Sequence, residues 1–130
     1  MLTIKRAETR SISIDSPPAA VHSYLADARN LPAWAPAFAS SVRRDGDSWT
    51  VTAEDREFTI DVITEPTSRS VDIVSAGDHN QGLFTRVLPN VKGSELVFTL
   101  LFPADTPELA INAQLLTLDS ELAAVRDACQ

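Results

Sequence analysis

Asp78-His79, followed by Gly82 and Arg86, is the one stretch of this chain where groups able to move and stabilise charge lie close together. An imidazole changes charge near neutral pH, so His79 can give or take a proton at a reacting centre. Arg86 is a fixed cation and can hold an enolate or carboxylate oxygen. Neighbouring side chains on a regular strand point to opposite faces, so Asp78 and His79 cannot both look into one site. The competing reading is a strand-end loop in which Asp78 and Asn80 hydrogen-bond their own backbone.

The remaining chemistry-bearing residues are sparse. With two histidines, one cysteine and no HExxH pattern, a protein metal site is not expected, and no Ser–His–Asp or Cys–His set has supporting context. Four scattered glycines cannot build a phosphate-binding loop, so no cofactor is implied. The single cysteine excludes an internal disulfide, and Cys129 is read as a small packing residue. His22 falls off the apolar face of its predicted helix and is read as exposed. Arg43 and Arg44 sit at a strand end and are read as solvated. Trp49 alternates with Val51 and Ala53, which makes it core or cavity wall.

Composition narrows the partners. The chain has 130 residues, 44% of them hydrophobic and 22% charged, the balance of a single folded domain. A net charge of −7 argues against nucleic acid and anionic membrane surfaces, which demand a basic face. Residues 1–10 carry charges without an apolar core, so they do not read as a signal peptide, and no run suits stable membrane insertion. A cytoplasmic monomer or homodimer is the expectation.

The elements that must position these residues follow from periodicity. Ile12 and Ile14 alternate with polar neighbours in a strand over 9–15, which can begin as early as Leu2. Ser16 is a predicted helix cap with Pro17 at the first helical position, the helix running to about Ala28. Pro32 and Pro36 limit the next piece to one short turn capped by Asn30. Strands are then predicted near 38–45, 48–54, 57–65, 70–77, 82–89 and 93–103, with links short enough to make neighbours antiparallel. One of those links is the turn signal from Gly77 to Gln81.

Asp105-Thr106-Pro107-Glu108 opens a final helix with a cap and early acidic charge. Within it Ile111, Leu115, Leu118, Leu122, Val125 and Cys129 recur at spacings of 4, 3, 4, 3 and 4, forming one apolar stripe. Its nearest upstream neighbours are strand-like, so the stripe must lie against the sheet. Phe58, Ile60 and Val62 share one strand face that should meet it, and Phe98 lies on an apolar face of the last strand. A long helix laid across a sheet leaves a wedge of space, and a ligand cavity is the leading expectation.

This order of elements resembles the helix-grip fold of the START-like superfamily, the SRPBCC group that includes polyketide cyclase/dehydrase and lipid-transport proteins. The residues carrying the resemblance are Ser13 to Val21 with Tyr24-Leu25-Ala26-Asp27, then Asn30-Leu31-Pro32-Ala33-Trp34. Asp78-His79 with Gly82 and Arg86, Gly93 to Leu100, and Glu121 to Val125 complete it. The match spans nearly the whole chain. It implies an α+β fold over 1–130: a seven-stranded antiparallel sheet wrapped around a long C-terminal helix, with two short helices between strands 1 and 2. It also implies a mainly hydrophobic cavity, with Trp34 either at its mouth or packed in the core or rim. Candidate wall residues are then Trp34, Trp49, Phe58, Ile60, Phe84 and Phe98, together with Leu109, Ala113 and Leu116 on the final helix.

Family members bind lipids, sterols, polyketides, quinones or aromatic hormones, and some catalyse cyclisation or dehydration. The first function the sequence supports is binding of a small hydrophobic molecule, since inward-facing polar groups are few. The alternatives are a polyketide cyclase or dehydratase using His79 and Arg86, and a protein-interaction module built on an exposed apolar patch or sheet edge.

Overall fold

Short links between strands decide the architecture. In the computed structural model, which describes residues 4–130, β2 (Ser41–Asp45) and β3 (Ser48–Ala53) are joined through Gly46 and Asp47. Gly46 takes φ +63°, a conformation that costs a glycine nothing and suits a two-residue hairpin. Equally tight turns join β3 to β4 (Arg56–Glu65), β5 (Ser70–Ser75) to β6 (Asp78–Asn90), and β6 to β7 (Gly93–Phe102). Each pair is therefore antiparallel. β1 (Arg6–Ile14) pairs with β7 and closes the order β1-β7-β6-β5-β4-β3-β2, a seven-stranded open sheet.

The helices lie on one face of that sheet. α1 (Pro18–Ala26), a 3₁₀ turn (Ala28–Asn30) and α2 (Leu31–Trp34) connect the two edge strands, β1 and β2. α3 (Glu108–Cys129) packs chiefly along β1 and β7 and meets α1 and α2. Inward side chains alternate along the strands as the pleat requires: Leu96 and Phe98 on β7, Val87 on β6, Val71 and Ile73 on β5, Ile60 on β4 and Val51 on β3 are all buried. Ile111, Leu115, Leu118, Leu122 and Val125 are the buried stripe of α3, and Cys129 packs partly buried at its end.

Several boundaries differ from the periodicity-based expectation. The first strand starts at Arg6, and Leu2 lies outside the described residues. Pro17 rather than Ser16 occupies the α1 cap position and Pro18 is the first helical residue; within 105–108 the α3 cap position falls to Pro107. Neither cap makes a side-chain hydrogen bond; Pro fits because its fixed φ leads into a helix and it has no N–H to satisfy. Phe38 is not in a strand: its N–H and that of Ala39 donate to the Ala35 carbonyl, so the chain folds back on the end of α2. The stretch from Gly77 to Gln81 is not a loop, because only Ala76 and Gly77 turn and β6 resumes at Asp78.

Candidate functional site

The stripe of α3 seals the sheet over only part of its length, and a cavity of about 550 Å³ remains between α2, α3 and strands β4 to β7. Its wall is mainly apolar: Leu31, Trp34 and Phe38 contribute from the α2 segment, Phe58 and Ile60 from β4, Ile73 from β5, Leu83 from β6, Leu100 and Phe102 from β7, and Leu118 from α3. Arg56 and Gln81, both exposed, stand where it opens to solvent.

Local sequence sets each wall. Pro32 sits in the first turn of α2 and Pro36 forces Ala35 out of the helical region, limiting it to one turn, and the Asn30 side-chain amide donates to the Tyr24 carbonyl at 2.9 Å, fixing α2 against α1. Trp34 is thereby pressed inward until it is 1% exposed, its ring 5.7 Å from that of Phe98 and tilted at 46°. Its indole N–H is buried with no hydrogen-bond acceptor among the described residues. Phe38 and Phe58 meet edge to face at 5.2 Å, and the Arg56 guanidinium lies 5.7 Å over the Phe58 ring. At the β5–β6 side the register shifts between Val74 and Ser75, opposite Gly82. A β-carbon on Gly82 would stand 2.2 Å from the Ile73 carbonyl oxygen, so only glycine fits this part of the wall.

Further polar side chains come from α3. Gln114, Thr117 and Glu121 follow one another at helical spacing on the flank beside the buried stripe, and all three line the cavity. Glu121 is only 8% exposed, and it makes no hydrogen bond or ion pair among the described residues. Burial pushes its carboxyl up to about 7, because the charged form loses its water without gaining a partner. Among the described residues no group of three His, Cys, Asp or Glu side chains is placed to hold a metal ion, and no helix is long and apolar enough to cross a membrane.

This layered arrangement recurs in solved structures. XoxI from Bacillus cereus is similar with a TM-score of 0.74 at 16% identity, over 95% of this chain and 94% of that one. The Aha1 dimer from Colwellia psychrerythraea is similar with a TM-score of 0.73 at 14% identity, over 95% and 96%. The Zhui aromatase/cyclase from Streptomyces sp. R1128 gives 0.70 at 14% identity, over 95% and 93%. The chain has the helix-grip fold. No protein-family model matches the chain, and no curated protein does.

Within this helix-grip frame, the residues singled out from sequence fall into distinct places. Trp34, Phe58 and Ile60 line the cavity. Phe98 is fully buried behind Trp34 and is core rather than wall. Phe84 alternates with the inward Leu83 and Thr85, so it lies on the outer face of the sheet, half-buried beside Asp72 and Thr99. Trp49 is half-buried in a shallow open groove on the other side of α1, with the Arg44 guanidinium 5.3 Å over its ring.

The expectation for the helix wall is corrected. Leu109 and Leu116 are 83% and 70% exposed and Ala113 is also exposed, since at about 100° per residue all three lie on the side of α3 opposite the buried stripe. His22 is corrected as well. It is buried at 9% exposure, with Nε2 3.2 Å from the Ser70 carbonyl, because α1 sits on the sheet and is covered on its flank.

His79 and Arg86 are not brought to the cavity. Both side chains are exposed, and neither lines the wall. His79 Nε2 is 2.7 Å from Asp61 Oδ2, while the Asp78 carboxylate accepts a hydrogen bond from the Asn80 N–H at 3.0 Å at the start of β6, in a strand rather than a loop. The residues missed from sequence are Gln114, Thr117 and Glu121. Their signal was angular position on α3 at the edge of the apolar stripe.

Proposed function

We propose that this protein binds a small hydrophobic molecule, of lipid, polyketide, quinone or aromatic type, in the cavity between the sheet and α3. The observation that carries this reading is the mainly apolar cavity of about 550 Å³ between the sheet, α2 and α3, open to solvent beside Arg56 and Gln81. It falls within the roughly 300–1,000 Å³ usual for ligand sites, lined like them by apolar side chains with a few polar groups. A core that simply packed would gain burial by closing this space, so the shape is kept at some cost to stability. An aromatase/cyclase of the same fold is among the similar solved structures, which supports a ligand role for this architecture.

The test is delipidated protein titrated with fatty acids, quinones, flavonoids and polyketide-like aromatics, with native mass spectrometry of protein purified from its own host. A binder at a hundredfold excess over Kd should add about 2.7 kcal/mol of stability and raise Tm. Leu83→Trp, which fills the cavity, should abolish that shift. No shift with any class, together with no co-purifying molecule, would count decisively against the proposal.

A second reading, conversion of the bound molecule by a cyclase or dehydratase, is favoured by one feature. Glu121 has its carboxyl poised at about 7 inside the cavity, the range in which a proton is most easily given and taken. On this reading Glu121→Gln retains ligand and loses turnover. Equal turnover by the variant excludes it.

A further inference from the structure

Arg56 is the only cation lining the cavity among the described residues, and hydrophobic binding alone gives it nothing to do. It opens β4, and its exposed side chain stands where the cavity meets solvent. The guanidinium carbon lies 5.7 Å over the centre of the Phe58 ring, itself a wall residue met edge to face by Phe38 at 5.2 Å. An aromatic face beneath a guanidinium steadies it from one side and leaves the N–H donors in its plane free for a partner. The protein supplies none among the described residues. Glu57, the next residue, pairs with Arg43 at 3.4 Å, and neither Glu54 nor Asp55 of the preceding turn pairs with Arg56.

Sign and depth then narrow the ligand. The buried wall, including Trp34, Ile60, Ile73 and Leu118, is apolar apart from Glu121. A ligand anion carried to that end would shed its water without meeting a cation. At the mouth it keeps water on one side and gains a charge-assisted contact on the other. A ligand cation there would be repelled by Arg56. The chain as a whole is acidic, at −7, so any attraction for an anion has to be local. Among anions, a planar carboxylate matches the two-pronged geometry of a guanidinium edge. Resting on the ligand-binding reading, we propose that the ligand is an apolar carboxylic acid bound as its anion, its carboxylate at the mouth on Arg56 and its apolar body running inward past Phe58.

The test uses two matched pairs of probes that differ in the head group: dodecanoate with dodecanol, and 2-naphthoate with 2-naphthol. Affinities are measured by calorimetry at pH 7.5, where an ordinary carboxyl is ionised, for the full chain and two variants. The wild type should favour the acid of at least one pair by about tenfold. Arg56→Gln should bring that ratio to about one while the neutral partner still binds. Arg86→Gln removes the same charge from an exposed side chain outside the cavity, and should keep the preference.

A wild type that favours neither acid, or a preference that survives Arg56→Gln, overturns the assignment and leaves the cavity reading standing. So does an equal loss in Arg86→Gln, which would make the effect one of overall charge. Failure of all four probes with a protein that takes a neutral member of the ligand panel also overturns this inference alone. Failure of the whole panel overturns both.

Discussion

His79 Nε2 stands 2.7 Å from Asp61 Oδ2, and Ser48 donates to the other oxygen of the same carboxylate, which ties β3, β4 and the start of β6 together outside the cavity. The Ser48 hydroxyl first, and then His79, hold the Asp61 carboxyl below the usual carboxylate range. Its contribution to stability is present above the unfolded-state value and disappears as pH falls through the lower folded value. The site is solvent-exposed, so the effect is a small loss of stability confined to acid.

His79→Ala and Arg86→Ala should therefore leave ligand affinity unchanged within about twofold, since neither side chain lines the cavity and distant sites act independently. His79→Ala alone should soften the acid limb of a stability–pH curve. Titration calorimetry and thermal melts between acid and neutral pH check both outcomes. Loss of ligand binding in either variant would restore a role for that residue in the site.

Leu116 and Leu118 test which side of α3 is buried. Leu118 is 1% exposed and Leu116 is 70% exposed. Leu118→Ala should cost about 2–5 kcal/mol through lost burial and added void. Leu116→Ala should stay within about 0.5 kcal/mol of wild type. Urea unfolding measures both.

That contrast also shows what sequence could and could not reveal. The α3 stripe was legible because spacings of three and four reflect local helix geometry, whatever the rest of the chain does. Strand alternation was legible for the same reason, and it identified Phe58 and Ile60. Leu109, Ala113 and Leu116 misled because they are apolar, whereas helical angle, not side-chain type, decides which residues face the sheet. Glu121 was hidden by the opposite prejudice, since a carboxylate beside an apolar stripe is normally solvated. The void itself arises where α2, α3 and four strands fail to fill space together, and no local pattern encodes that. His22 was missed likewise, its burial depending on where α1 settles against β5.

Gly82 is the narrowest fit in the wall. A β-carbon there would collide with the Ile73 carbonyl oxygen at 2.2 Å and with Val74 Cα at 2.7 Å, both backbone atoms that cannot rotate away. Gly82→Ala should destabilise the fold by about 2 kcal/mol or more and loosen the β5–β6 pairing beside the cavity. Amide exchange should show the loss of protection concentrated at Ile73, Val74 and Leu83. Uniform loss across the sheet would mean that the clash is relieved by a global shift.

Glu121 makes stability depend on pH in the direction opposite to Asp61. Its folded-state value, about 7, lies above the ordinary 4.5, so between these values the native protein holds a proton that the unfolded chain has released. Stability must then fall as pH rises from 4.5 towards 7 and level off above it. The penalty for burying the charged form amounts to about 3 kcal/mol when the shift is complete, at roughly 1.4 kcal/mol per unit. Glu121→Gln removes the titration and leaves a neutral side chain of the same size. Denaturant melts should find the variant little changed near pH 5 and more stable than wild type by about 2–3 kcal/mol at pH 8. If the two stability curves run parallel from pH 5 to pH 8, Glu121 is not held uncharged by its burial.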